Sequence, residues 1–413
     1  MLRKNSKQKS VSSRNSSVSS IDMTNSSSSS VCSMPSYFSH PHLLDHSHLK
    51  PGQNASLLSY SQTIHMYREN AKKTDNMDIL CDFSTFLVEA AKRVENTEYI
   101  LEAEKILKQI AMRGHSESQY YLANMYGAGL LNKKNHQPEF NKSFPLFVRS
   151  AKRHHPDAAY RAAKCYEDGL GTRKDKAKSV QYYRKAATLN HPGAMYRLGL
   201  AQIKGELGLS RNVRDGHKWL KRSAEAATPQ YPHALHELGM LHEKGVDSVI
   251  FADPKYALHL YHEAAMLGYA PSAYRLGECY EFGKLECTIN LQVSIQYYRI
   301  AAEQQYPEAC FALTAWYLVG VPDILEASDE QAYIWALIAA QKGLPKAEYA
   351  VGYFTEMGIG ITKNETEAIE WYTKAACHGE KKAIERLELG IKKSDNKRYS
   401  FIQKATLLLT KRQ

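Results

Sequence analysis

From Cys81 onward the apolar residues fall at helical spacing. Phe83, Phe86, Leu87 and Ala90 make one stripe, and Ile100, Ala103, Ile106, Leu107 and Ile110 make a second, as one face of an α-helix requires. Further along, the stripes become a repeat. A core aliphatic residue recurs at Leu122, Ala162, Leu198, Leu238, Leu276, Leu313, Val351 and Leu387, at intervals of 36 to 40 residues. The next residue is small: Ala123, Ala163, Gly199, Gly239, Gly277, Thr314 or Gly352. Four residues after the reference stand Tyr126, Tyr166, Gln202, His242, Tyr280, Tyr317 and Thr355. Seven after it there is always glycine, at 129, 169, 205, 245, 283, 320 and 358. A period of this length predicts an array of supersecondary units, each too small to bury its apolar face alone.

Each position has a physical reason. Residues at i and i+4 share a helix face, so the aliphatic and the aromatic pack together. The small residue lets the paired helix approach, and the glycine can take a left-handed conformation that ends the helix. A second helix is marked by a pair of small residues, from Ser150-Ala151 to Ala375-Ala376, with a bulky residue four before it, from Leu146 to Trp371. Pro156, Pro192, Pro232, Pro307 and Pro345, with Pro271 one place off, open the next first helix, where a missing N–H costs nothing. The predicted fold is an all-α, right-handed α-solenoid of tetratricopeptide-type helix-turn-helix repeats. Residues 81–116 read as a degenerate capping helix pair, and 117–390 as about seven repeats plus a final half repeat. Residues 1–80 read as a disordered, serine-rich, basic tail, and 391–413 as a basic C-terminal tail that closes in a short helix and frays.

Composition narrows the chemistry. The chain has 413 residues, 43% of them hydrophobic, and a net charge of +11. That charge admits an anionic surface as a partner, but nucleic acid is not expected. Seven cysteines without a CxxC pair fit reduced thiols. Neither a signal peptide nor an apolar run long enough to span a membrane is seen, so a cytoplasmic protein is expected. Arg3 and Arg14 stand three residues before Ser6 and Ser17, which makes these serines candidate phosphorylation sites for a basophilic kinase. His46 and His48 are too close for a usual zinc spacing, and no cofactor or metal is expected. Gly169-Leu-Gly171 and Gly358-Ile-Gly360 are read as helix-ending turns, not phosphate cradles. Cys279 and Cys310 are read as buried small residues, and His154-His155 has no nucleophile beside it. The chain is therefore not expected to be an enzyme.

The unit A-x-x-x-L-G-x-x-Y-x-x-G followed by W-Y-x-x-A-A resembles the Sel-one-like repeat. Along Leu209 to Leu387, the strings LSRNVRDGHKWLKRSAE, GYAPSAYRLGECYEFGK and KAEYAVGYFTEMGIG resemble the fungal chitin synthase activator family. That resemblance implies a non-catalytic adaptor that binds and activates or localises a catalytic chitin synthase subunit, or another septum protein, in cell-wall and septum formation. It implies a place at the cytoplasmic face of the plasma membrane, reached through the partner. Several relatives end in a prenylated box. Here Thr410 stands fourth from the end and the tail lacks cysteine, so C-terminal prenylation is not expected. The alternative is a general scaffold for another complex, in protein quality control or signalling.

Two features suggest where a partner would sit. Two residues before each reference aliphatic runs an aromatic ladder, Tyr120, Tyr160, Tyr196, His236, Tyr274, Phe311 and Tyr349, expected to pack against the neighbouring repeat. At the positions two, three, five and six after the reference, the second repeat carries Lys164, Cys165, Glu167 and Asp168, whereas the sixth carries Ala315, Trp316, Leu318 and Val319. The seventh carries Tyr353, Phe354, Glu356 and Met357. A partner groove centred on Trp316, Phe354 and Met357, with Leu318, Val319 and Tyr353, is the expectation.

Overall fold

The computed structural model describes residues 60–94, 96–132 and 137–393. Ser6, Ser17 and the histidines of 40–48 lie outside them. Eighteen α-helices make up the regular structure of the described residues. Three helices lead in: α1 (Tyr60–Lys72), α2 (Met77–Val94) and α3 (Thr97–Met112). The first helices of the seven repeats are α4 (Ser116–Gly127), α6 (Pro156–Asp168), α8 (Pro192–Lys204), α10 (His233–Lys244), α12 (Ala270–Phe282), α14 (Pro307–Val319) and α16 (Pro345–Met357). Their partners are α5 (Phe140–Lys152), α7 (Lys176–Thr188), α9 (Val213–Glu225), α11 (Pro254–Met266), α13 (Leu291–Glu303), α15 (Asp329–Gln341) and α17 (Glu365–Cys377). A final first helix, α18 (Lys381–Lys393), follows.

The lead-in corrects the expected boundaries. The capping pair begins at Met77, not 81, and α1 lies within the stretch 1–80 expected to be disordered. The reason is packing that the serine-rich composition hid. Ile64 is fully buried, Tyr67 stacks on Phe83 with ring centroids 6.3 Å apart, and Arg68 makes a bidentate pair with Glu102 at 2.7 and 2.8 Å. At the other end α18 runs three residues past the expected limit of 390.

Local signals set the helix ends. Six of the seven partner helices, all but α5, are capped by Asp175, Asn212, Asp253, Asn290, Ser328 and Asn364, whose side chains accept from a backbone N–H of the first turn. Proline occupies the first turn of α6, α8, α12, α14 and α16, while Pro232 is itself the N-cap of α10. Gly169, Gly205, Gly283 and Gly358 end their helices in the left-handed conformation, as expected. Gly245 and Gly320 do not. They sit at φ 70° with ψ 162° and 163°, a region open essentially to glycine alone, because the loops after them fold back through single bridges, Val246 to Ile250 and Val321 to Leu325.

The core runs along the array. In the second helix a fully buried residue follows the bulky one noted in the sequence: Phe147, Tyr183, Leu220, Tyr261, Tyr298, Ala336 or Tyr372. The small residue of the first helix exists to receive it. A Cβ added to Gly277 would come within 2.5 Å of the Tyr298 ring, and one on Gly239 within 2.7 Å of Tyr261. The repeats then lock in series through the aromatic ladder, which packs on the next repeat as expected. Tyr120 lies 4.5 Å from His155 between ring centroids, Tyr160 4.5 Å from His191, His236 5.3 Å from Tyr269 and Tyr274 5.6 Å from Tyr306. Each of those four partners is the N-cap of the helix that opens the next repeat.

Candidate interaction surface

The side chains screened for chemistry in the sequence take structural places. Burial holds the Cys81 and Cys279 thiols up at about 12 and those of Cys165 and Cys310 at about 11, far from the thiolate a nucleophile needs. His154 takes a positive φ of 65° in its turn. His155 Nδ1 accepts from the Ala158 N–H at 3.3 Å while Nε2 faces Glu117 at 2.9 Å. Both GxG stretches are turns with every glycine at positive φ. The second glycine in each brings the loop against the preceding repeat: a Cβ on Gly171 would collide with the backbone of Phe140, and one on Gly360 with that of Asp329. Among the described residues no group of three or more His, Cys, Asp or Glu is placed to hold a metal ion.

A recurring polar node was missed at the sequence level. The buried tyrosine of the second helix donates its hydroxyl to a glutamate five residues after the reference aliphatic: Tyr183 to Glu167 at 2.7 Å, Tyr261 to Glu243 at 2.9 Å, Tyr298 to Glu281 at 2.5 Å and Tyr372 to Glu356 at 2.6 Å. In three of these an arginine from the next repeat closes the node, Arg197 on Glu167, Arg275 on Glu243 and Arg386 on Glu356. Burial alone would raise these three carboxyls, but the bonds from arginine and tyrosine outweigh it and hold them below the usual glutamate range. The signal was present in the sequence as the spaced set Glu167, Tyr183 and Arg197 with its copies.

Three repeats lack the node. In the first, Gly127 and Phe147 stand where the glutamate and tyrosine would. In the third, Ile203, Leu220 and Glu237 stand at its positions, and Leu220 fills the core with no exposure. In the sixth the positions hold Leu318, Ala336 and Ala350. Ala336 is buried, and Leu318, in the glutamate's place, is left 37% exposed.

Around that position the surface changes character. The residue that ends the first helix, just before its glycine, is Asp168, Lys204 and Lys244 in repeats two to four. In repeats five to seven it is Phe282, Val319 and Met357, exposed by 59%, 78% and 55%. Tyr353, and on neighbouring loops Phe251, Ile289 and Ile324, are exposed too. Such a row of large apolar side chains on one edge is what an interaction surface looks like. Lys284 Nζ stands 5.0 Å over the Phe282 ring, so the row begins under a cation.

The expected groove is only partly what the structure presents. Leu318, Val319, Tyr353 and Met357 are exposed. Phe354 is not: at 5% exposure it belongs to the central core, because the position three after the reference faces inward in this helix. Trp316 is half-buried against the same core. The exposed apolar edge is therefore the helix-ending row, not Trp316 and Phe354, and it includes Phe282, absent from the expected set.

With this geometry in hand, the likeness to known proteins is informative. The Sel1 repeat family matches residues 116–137, 156–191, 192–227, 232–269, 270–306, 307–344 and 345–380. The chain is 50% identical over 362 residues to the chitin synthase regulator SKT5 of Malassezia restricta, an alignment covering 84% of this chain and 25% of that protein. To the protein of the same name in Saccharomyces cerevisiae it is 37% identical over 357 residues, covering 81% of this chain and 51% of the relative. To chitin synthase regulatory factor 3 of Schizosaccharomyces pombe it is 39% identical over 272 residues, covering 66% of this chain and 29% of the relative. The chain thus spans between a quarter and about half the length of these relatives. Among solved structures, a Sel1 repeat protein from Oxalobacter formigenes superimposes with a TM-score of 0.55 at 23% identity, covering 81% of this chain and 91% of that one, which bears on the fold. The helix pairs, their glycine and alanine signatures and these matches agree that the chain belongs to the Sel1 repeat family and is similar to fungal proteins named chitin synthase regulators.

Proposed function

We propose that this chain is a non-catalytic adaptor that binds a chitin synthase and activates or localises it in cell-wall and septum formation. The names of its relatives support a chitin synthase as the partner. The observation that carries the mode of action is the row Phe282, Val319 and Met357, with Leu318 and Tyr353 beside it, where repeats two to four carry charge. Binding energy from burying such side chains would hold the synthase at the division site or favour its active form. Among the described residues no helix is long and apolar enough to cross a membrane.

The test is affinity purification of the full chain from dividing cells, beside a variant carrying Val319→Asp and Met357→Asp. The native chain should recover a multi-pass glycosyltransferase and the variant should not, with unchanged thermal stability. Recovery of kinases or chaperones without a glycosyltransferase overturns the partner. Equal recovery by both proteins overturns the surface.

A further inference from the structure

A second departure from the repeat lies in its first copy. Three residues before the reference aliphatic, the repeats carry buried Ala159, Met195, Leu235, Ala273 and Cys310. The seventh carries Glu348, satisfied by His378 at 2.8 Å. The first carries Gln119, 4% exposed. Its Nε2 donates to the Ala111 carbonyl at 2.9 Å, and its Oε1 has no partner. The Ala111 bond accounts for the amide's donor end, but the orphaned buried acceptor is costly. A polar residue that breaks the rule of its own repeat, with one end left uncompensated inside the fold, points to a functional position.

Gln119 lines a recess of about 530 Å³ between α3, α4 and α5, together with Met112, Gly114, Arg149, Lys152 and Arg153. Arg153 lies across Gly114, where a Cβ would come within 2.5 Å of its guanidinium. No other repeat places three basic side chains at these positions; the second has Lys185, Thr188 and Leu189. Among the described residues Arg149, Lys152 and Arg153 form no ion pair with a carboxylate. Three cations lining one recess with an acceptor that lacks a donor call for a ligand with two features. It carries a compact multiple negative charge for the cations, and an N–H or O–H for the amide oxygen.

A phosphorylated side chain on a peptide has both, the phosphate oxygens for the cations and a backbone N–H for Gln119. A lipid surface fits less well. The recess is concave, and the chain beside its wall residues Met112 and Gly114 carries carboxylates: Asp75, 98% exposed, lies 3.7 Å from Arg113, and Asp78 lies 2.9 Å from His115. A flat anionic bilayer would be repelled by these, whereas a single phosphate entering the recess would not meet them. We propose that the recess binds a phosphoserine or phosphothreonine of a partner protein, with Arg149, Lys152 and Arg153 on the phosphate, Gln119 Oε1 accepting a peptide N–H, and exposed Met112 against a flanking side chain.

The test uses the full chain and two fluorescent heptapeptide pools, degenerate except for a central phosphoserine or serine, read by anisotropy. The phosphoserine pool should bind at least tenfold more tightly, with a steep decline in salt. Arg149→Ala/Lys152→Ala/Arg153→Ala should remove the difference between the pools while circular dichroism and the melting temperature stay unchanged. Should that variant melt early, Lys152→Glu alone, at an exposed helix end, gives the same reading. Gln119→Leu, which restores the apolar residue of other repeats, should leave competition by inorganic phosphate unchanged and weaken the phosphoserine pool several-fold. Equal binding of the two pools, or full binding by the triple variant, overturns the proposal. So does binding to vesicles of phosphatidylcholine with phosphatidylinositol 4-phosphate, lost in the triple variant, in the absence of binding to the phosphoserine pool.

Discussion

Repeats two to four and repeats five to seven are built on the same helix pair and present different edges. Both sets keep a core aliphatic, and both end the first helix on glycine. Yet the residue before that glycine is Asp168, Lys204 and Lys244 in one set and Phe282, Val319 and Met357 in the other. The node does not follow that division: Glu167, Glu243 and Glu356 are held by tyrosine and arginine, Glu281 has tyrosine alone, since Ala312 stands where an arginine would, and the third and sixth repeats have none of it. Positions that touch a neighbouring helix are thus nearly constant, and positions at the helix end are free to specialise. A solenoid can therefore gather its recognition chemistry into a few adjacent copies without disturbing the stack.

The comparison can be broken at its constant side first. Gly277→Thr, which copies the small position of the sixth repeat, drives a branched side chain into the Tyr298 ring, where the sixth repeat has Ala336. It should cost about 3 kcal/mol in urea unfolding. His236 comes next. Burial, with Arg275 nearby, depresses it to about 4, so the folded chain resists a proton that the unfolded chain accepts near 6.5. Stability from this site is full above that value and falls as the pH drops towards 4. His236→Phe, the ladder residue of the sixth repeat, should flatten that decline, worth on the order of 2 kcal/mol, in melts between pH 7 and 4.

The node should show a smaller effect. Tyr298→Phe leaves Glu281 without its tyrosine, whereas Tyr183→Phe leaves Glu167 still paired with Arg197. Each change should cost about 1 kcal/mol at neutral pH. The arginine-paired carboxyls lie below the usual range, so their contribution is present above pH of about 4.3 and is lost as pH falls through their folded values. Acid should therefore weaken the second, fourth and seventh repeats more than the sixth, as hydrogen exchange can resolve. The smallest effect on stability belongs to the edge: Val319→Asp and Met357→Asp should each shift it by less than about 0.5 kcal/mol while abolishing partner recovery.

Much of the architecture was legible before any coordinates. The period of Leu238, Leu276 and Leu313 with its glycines specified the helix pairs and their ends, because one face and one turn recur at fixed spacing. Other features were not legible, for reasons that can be named. Helix α1 is hidden because two buried residues, Ile64 and Ala71, and an ion pair, Arg68 with Glu102, hold a segment whose composition is polar. Phe354 and Phe282 are both phenylalanines near a helix end, but which one faces solvent depends on the crossing of the second helix, which spacing alone does not give. Gln119 looks in sequence like any exposed glutamine, and only the comparison of its burial with Ala159 or Leu235 makes it unusual.

The N-cap histidines carry one more consequence. His155 and His191 each accept a backbone N–H from the helix they begin, and each also reaches a carboxylate of the preceding repeat, Glu117 and Asp157. Their rings lie on Tyr120 and Tyr160 of that repeat. A helix start of this kind is complete only when its predecessor is already in place. The seam is therefore a shared part: loosening either repeat should free the cap of one and the ladder tyrosine of the other together, so neighbouring copies melt as a unit.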